Sequence, residues 1–258
     1  AEYVEDADLP YNVLIVFQPA EETVGGADHI VATGIFAKHN TKAVFGYHLW
    51  PFIEKKEIST IPGVMMMMSS EVTGKIRGKA AHAANAHEGI DGLEVLVRFL
   101  NDIYDMPKKG ILRIGIVSGG KARNILADDV NFKGTMRALR REDFAEMEEG
   151  VGALISKWEE KTGAKITWQL TDPYLPVIND VSLYNRMKPI MDEEGVTLMP
   201  KPLTIAEDFS AYGKAAPSIF FLLGTGTGIS LHSDNFDFDE DVLERGFDFF
   251  KKILNEYE

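Results

Sequence analysis

The 258-residue sequence contains no cysteine, which excludes a disulfide framework and removes thiolates from the available metal ligands. Positive charge is scarce: 27 Lys and Arg face 40 Asp and Glu, a formal charge of -13. With no basic stretch to offset it, that balance argues against a nucleic-acid backbone or an anionic membrane as partner. No apolar run approaches the roughly 20 residues that span a bilayer. The opening "AEYVEDADLP" lacks the basic and apolar regions of a secretory signal, and a cytoplasmic location is the expectation. There is no internal repeat and no low-complexity tract. What is present is an ordinary globular composition, 45% hydrophobic and 26% charged, long enough for one large or two smaller domains.

The apolar run "NVLIVF" at 12–17 has the continuous hydrophobicity of a strand covered on both faces. "ADHIVATGIFAKH" carries the spacing of a short helix and "KAVFGYHLW" that of a second strand. This order predicts a β-α-β unit with parallel strands. From about Ser70 the pattern changes. "EVTGKIRG", "ILRIGIVSG", "VNFKGTMRAL" and "AKITWQL" read as strands, with helices in "GIDGLEVLVRFLNDIY" and "REDFAEMEEGVGALISKWEEKTG". The order β-α-β-β-α-β predicts a ferredoxin-like α+β domain inserted into an α/β domain with a mainly parallel central sheet. The expected division is 1–69 and 177–258 for the α/β domain and 70–176 for the insertion. "SLYNRMKPIMDEEG", "SIFFLL" and "DEDVLERGFDFFKKILNEY" resume the first pattern as helix, strand and helix. The run "PGVMMMMSS" falls at the domain junction; buried hinge packing by flexible Met side chains is the expectation, over a Met-rich binding surface. A buried-type strand within a dozen residues of a first residue that is not Met leads us to expect further chain upstream.

Chemistry concentrates where strands of the α/β domain end, the usual place for ligands in such sheets. Glu21 and Glu22 follow the first predicted strand, and His48 ends the next. Two adjacent carboxylates repel unless solvated or opposed by a cation. Glu, Glu and neutral His form a set suited to Zn²⁺, Mn²⁺ or a similar divalent ion; alone, His48 would read as a hydrogen-bonded core histidine. His232 in "SLHSDNF" again follows a strand. Glu207 and Asp208 in "IAEDFS" fit either a helix-capping pair or support for metal ligands. Arg137, at the end of an apolar strand, could grip a substrate carboxylate or form a surface salt bridge. His82 and His87 read as turn histidines, His29 and His39 as helix-surface residues. The Gly/Thr loop at 224–228 does not open into a helix, so a phosphate cradle there is poorly supported.

In this order and spacing, "FQPAEE", "GYHLWP", "GKAAHAANAHEG", "RNILADD", "KGTMRAL", "AEDFS" and "LHSDNFDFDE" resemble the dimetal aminoacylase-type amidohydrolases and metallopeptidases. The similarity is greatest to the branch of hippurate hydrolases, auxin-conjugate hydrolases and N-acetyldiaminopimelate deacetylases, and it covers essentially the whole chain. The resemblance implies a metal-dependent hydrolase of N-acyl, chiefly N-acetyl, amino acids, N-acetyldiaminopimelate among them. It implies two divalent ions (Zn, Mn, Co or Ni), with Glu22, His48 and His232 as ligands. Glu21 matches the general base acting on a metal-activated water. His82 matches a lid-domain histidine that reaches the partner's active site in a homodimer, and Asn124 and Arg137 match residues that hold the substrate's carboxylate end. The lid domain is also the expected dimerisation domain. A dipeptidase or carboxypeptidase of the same family is the alternative reading, and an inactive dimerising remnant the rival of another class.

The sequence departs from the family pattern in two ways. No Cys-Gly-His-Asp type segment is present to supply further ligands, so the 258-residue chain alone is expected to bind metal weakly and to have little activity. Ala86 stands where the family usually has Pro before the second histidine.

Overall fold

The computed structural model describes residues 2–22 and 25–257. Along the chain, α1 (Glu2–Asp6), α2 (Gly26–Ala32) and α3 (Ile35–Lys38) precede β1 (Val44–Trp50), β2 (Ile58–Thr60) and β3 (Gly63–Val64). Next come β4 (Met68–Arg77), a 3₁₀ turn at Ala83–Glu88, α4 (Gly92–Asp105), β5 (Gly110–Gly119), β6 (Asp129–Ala138), α5 (Arg141–Thr162) and β7 (Lys165–Leu170). The last stretch holds β8 (Ile178–Asn179), α6 (Val181–Glu193), β9 (Thr197–Leu198), a 3₁₀ helix at Asp208–Lys214, β10 (Ser218–Gly224) and α7 (Asp241–Glu256). Two compact units result. One comprises residues 1–66, 177–203 and 207–258, the other 67–176 and 204–206. The methionine run Met65–Met68 is buried where the chain passes from one to the other.

The second unit is a four-stranded antiparallel sheet in the order β5-β6-β4-β7. Alternation along β4 buries Val72 and Ile76, and along β6 Val130, Phe132 and Met136, so one face is apolar. Onto it pack Phe99 and Ile103 of α4 and Phe144, Met147, Val151 and Trp158 of α5. Each such side chain contributes about 2 kcal/mol when fully removed from water. Gly74 is required by this packing, because a Cβ there would lie 2.0 Å from the Phe132 ring. Helix ends follow local chemistry: Asp91 accepts from Leu93 N and Glu94 N to start α4, and Gly163, at φ 72°, ends α5.

In the first unit the sheet order is β1-β10-β2-β9. β1 and β10 are parallel, as are β2 and β9, while β10 and β2 run antiparallel. β10 is buried along its whole length. Its Ile219, Phe221 and Leu223 pack against Leu183 and Met187 of α6 and Phe249 and Ile253 of α7. Phe220 instead stacks on Phe209, ring centroids 4.6 Å apart. The 3₁₀ helix at 208–214 comes close to β1 here, and Gly46 admits it: a Cβ at 46 would lie 2.7 Å from the Phe209 ring. Among the described residues no helix is long and apolar enough to cross a membrane.

One expected element is absent. Residues 12–17 form no strand, so the predicted β-α-β unit lacks its first member. A strand needs a neighbour for its N–H and C=O groups. β1 has β10 along one edge, and among the described residues no strand lies along the other. The apolar side chains accordingly stay in water, with Leu14 37%, Ile15 43% and Phe17 87% exposed.

Candidate metal and catalytic site

The parallel pair β1 and β10 sets the site's base. His48 stands opposite Leu222 in the register, near the carboxyl ends of both strands. Its Nδ1 lies 2.7 Å from the Leu49 carbonyl oxygen. A carbonyl can only accept, so Nδ1 carries the proton and Nε2 keeps its lone pair, the form in which imidazole binds a metal.

Glu21 is half-buried on the turn that follows Pro19, and Ala20 turns the chain there with φ 64°. Burial pushes the Glu21 carboxyl above its ordinary range; the negative charges of Glu22 and Asp208 act in the same direction, and His48 and His232 oppose them. The two carboxylates and two imidazoles named from the sequence therefore share one electrostatic neighbourhood. Within it, oxygens of Glu21, Glu207 and Asp208 lie within 4.8 Å of one another. Glu22 and His232 are exposed, and with His48 they lie outside that tight grouping of described residues. Glu207 is pushed up to about 8, chiefly by burial and then by the charge on Glu21, while the Phe209 N–H that it accepts pulls the other way.

Asp208 organises the turn. Both its oxygens accept from Gln18 Nε2 at 2.8 Å, and one also accepts from Ala27 N at 3.0 Å. The Tyr212 hydroxyl donates to Gln18 Oε1 at 2.5 Å. Of the two readings of "AEDFS" the structure bears out the cap, since Glu207 caps the 3₁₀ helix; Asp208 bonds across the sequence to Gln18 and Ala27. Gln18 and Tyr212 had no assigned role beforehand. The only available signal was the polar Gln18 ending an apolar run.

His82, Asn124 and Arg137 belong to the second unit. The first two are neighbours: Ala83 N donates to Asn124 O at 2.9 Å, and His82 pairs with Ile125 as a β-bridge. His82 is exposed, and Ala84 N donates to its Nδ1 at 3.2 Å. Arg137 lies at the far end of β6, where Nη1 donates to Thr204 O at 3.0 Å. Arg137 lies eight residue steps from Asp129 at the start of β6, roughly 26 Å at about 3.3 Å each. The structure thus joins His82 to Asn124 and separates both from Arg137. His29 and His39 are exposed on and after the short helices α2 and α3.

Known proteins share this architecture. A Staphylococcus aureus protein (strain bovine RF122 / ET3-1) named an uncharacterized hydrolase is 28% identical over 98% of this chain and 70% of its own length. A solved protein of methicillin-resistant Staphylococcus aureus, whose name proposes an aminohydrolase, superposes with TM-score 0.81 at 23% identity, over 93% of this chain and 65% of that one. A Bacillus subtilis protein described as a dinuclear metal-binding peptidase of the M20 family gives 0.77 at 24%, over 92% and 63%. At these identities the two solved structures establish the fold, and this chain spans less than two thirds of either. Residues 1–256 match the family described as Peptidase family M20/M25/M40, and the chain belongs to that family.

Proposed function

We propose that the protein is a metal-dependent amidohydrolase that cleaves the amide bond of N-acyl, chiefly N-acetyl, amino acids. The observation that carries this reading is the ring of groups around Glu21: two further carboxylates within 4.8 Å, with Glu22, His48 and His232 close enough to act on its charge. The donor set fits a hard-to-borderline divalent ion, and the free Nε2 lone pair of His48 fits it independently. Glu22, His48 and His232 are the proposed ligands, in a site for two ions. A bound ion supplies Lewis-acid polarisation of the amide carbonyl and a water acidic enough to attack near neutral pH.

Glu21 is the proposed general base. Its raised carboxyl brings its affinity for a proton nearer to that of the operating solution, which favours both taking a proton from water and returning it to the leaving nitrogen. His82 donates from Nε2–H to the carbonyl oxygen as that oxygen gains charge, and Arg137 and Asn124 are the proposed holders of the substrate's carboxylate end. Because Arg137 is separated from the His82–Asn124 pair within one chain, the proposed assembly is a homodimer in which one copy supplies Arg137 and the other His82 and Asn124. A dipeptidase is the second reading, favoured by the naming of the Bacillus subtilis neighbour as a peptidase.

The test is metal content by elemental analysis, combined with acetate release from N-acetyl amino acids by the complete protein. Bound metal with acetate release at enzymic rates, on the order of 1–10³ s⁻¹, supports the reading. Metal with cleavage of dipeptides only favours the second reading, and absence of both metal and cleavage rejects each of them.

A further inference from the structure

Gln18 and Ala27 flank the turn that carries Glu21 and Glu22, and the two flanks meet closely. A Cβ on Gly26 would lie 1.8 Å from the Pro19 carbonyl oxygen, so only glycine permits the approach. At this neck stands Asp208, 2% exposed. It receives the Gln18 side chain on one side and the Ala27 N–H, in the first turn of α2, on the other. Tyr212, one 3₁₀ turn beyond Asp208, holds the remaining oxygen of Gln18. Its ring is locked against Phe36 and Phe209, at 5.4 Å from each. Both hydrogen-bonding ends of the Gln18 amide are therefore used, and the direction of the bond to Asp208 is set by chemistry: Nε2 can only donate, so the Asp208 oxygens accept from it.

We propose that Asp208 is a positioning residue, which closes the neck of the 18–27 turn and thereby sets where Glu21 and Glu22 stand. The inference rests on the metal-hydrolase reading for its consequence, though not for its geometry. A carboxylate that ligates or moves protons must be held to within about 0.5 Å, and neither Glu21 nor Glu22 lies in a helix or strand that could hold it. Asp208 supplies the constraint from a helix packed on β1 and β10. Groups that orient metal-binding residues typically alter metal affinity or activity about 10–100-fold when changed.

The bond polarity gives a specific test. Asp208→Asn keeps the shape but sets an amide donor against the Gln18 donor or against Ala27 N. Adding Gln18→Glu reverses the pair: the new amide at 208 donates to the new carboxylate at 18, its oxygen still accepts from Ala27 N, and Tyr212 still donates to position 18. Two readouts are taken, Mn²⁺ affinity by titration calorimetry and amide hydrogen exchange in peptides covering 18–27. The expected result is that Asp208→Asn weakens Mn²⁺ binding about 10–100-fold and speeds exchange, and that the double variant recovers most of both. In hydrolysis, kcat should fall more than KM rises. Unchanged exchange in Asp208→Asn, or a double variant no better than the single one, overturns the proposal. Faster exchange with unaltered Mn²⁺ affinity and kcat also overturns it, since the neck would then order the turn without placing its carboxylates. Should Asp208→Asn fail to fold, Tyr212→Phe decides: it keeps the ring and removes the bond to Gln18, so a smaller change of the same sign supports the clamp and none rejects it. If the unaltered protein takes no Mn²⁺, the metal-hydrolase reading fails, and the exchange data alone uphold or reject the closure of the neck.

Discussion

The Ala84 amide donates to His82 Nδ1 at 3.2 Å, which leaves the histidine's only ring proton on Nε2. A histidine capping its own 3₁₀ turn in this way points a donor outward from an exposed position, as an oxyanion partner requires. His82→Ala should lower kcat about 10²–10³-fold with a small change in KM. Because the side chain is exposed and caps only one short turn, the melting temperature should stay within about 2 °C of the unaltered protein. Steady-state kinetics with an N-acetyl amino acid, beside a thermal melt, check both; a loss of stability with kcat intact would remove His82 from the chemistry.

Glu21→Gln removes the proton carrier while keeping the side chain's size. Activity should fall at least about 10²-fold, whereas elemental analysis should still find metal, since Glu22, His48 and His232 are untouched. Loss of metal in this variant would move Glu21 from base to ligand.

If His82 serves the partner's site, two dead variants should complement each other. Mixed and reassorted, His82→Ala and Glu21→Gln chains place an intact Glu21 and an intact His82 at one of the two sites of each heterodimer. Random reassortment makes half the dimers heterodimers, so about a quarter of the original activity should return. An activity no greater than the sum of the separate variants assigns His82 to its own chain's site.

Asn179 is a structural prediction. Fully buried, it donates from Nδ2 to Thr60 Oγ1 at 2.9 Å and Ile61 O at 2.7 Å, and accepts from Phe220 N at 2.8 Å. It thereby ties β8 to β10 and to the end of β2. Asn179→Ala strands a buried amide and a carbonyl and should cost about 3 kcal/mol. Chemical denaturation of the metal-free protein measures it.

Arg140 holds Asp143 with two bonds, at 2.7 and 2.6 Å, in the first turn of α5. That pairing holds the Asp143 carboxyl below its ordinary range. A carboxyl depressed in the folded state binds fewer protons there than in the unfolded chain, so its stabilisation is present above the unfolded value and is lost as pH falls through the folded one. The melting-temperature gap between the unaltered protein and Asp143→Asn should therefore shrink as pH falls from about 6 to about 3. A gap that does not change with pH would mean that Asp143 acts through shape and not charge.

The inserted unit was the more legible in the sequence, because its elements carry their own signals. β4 alternates, α5 ends at a glycine, and Asp91 announces α4. Residues 12–17 misled for the opposite reason: their hydrophobicity reports a preference for burial, while a strand also needs an edge to pair with. In the site, Glu21 and Glu22 were conspicuous as neighbours in sequence. The Asp208–Gln18 bond joins residues 190 positions apart, and no local pattern encodes a contact of that range. Likewise, the distance between Asn124 and Arg137 follows only from knowing that they flank opposite ends of one strand.

The close approach of Pro19 and Gly26 has a consequence for how such a protein changes over time. Because a Cβ on Gly26 would lie 1.8 Å from the Pro19 carbonyl oxygen, any side chain at 26 forces the two flanks apart. A substitution at the exposed Glu22 alters reactivity without asking the core to repack, whereas Gly26 and Asp208 answer to both. Gly26 and Asp208 should thus tolerate little variation, a demand set by the geometry of the neck in addition to the one that chemistry sets at Glu21 and Glu22.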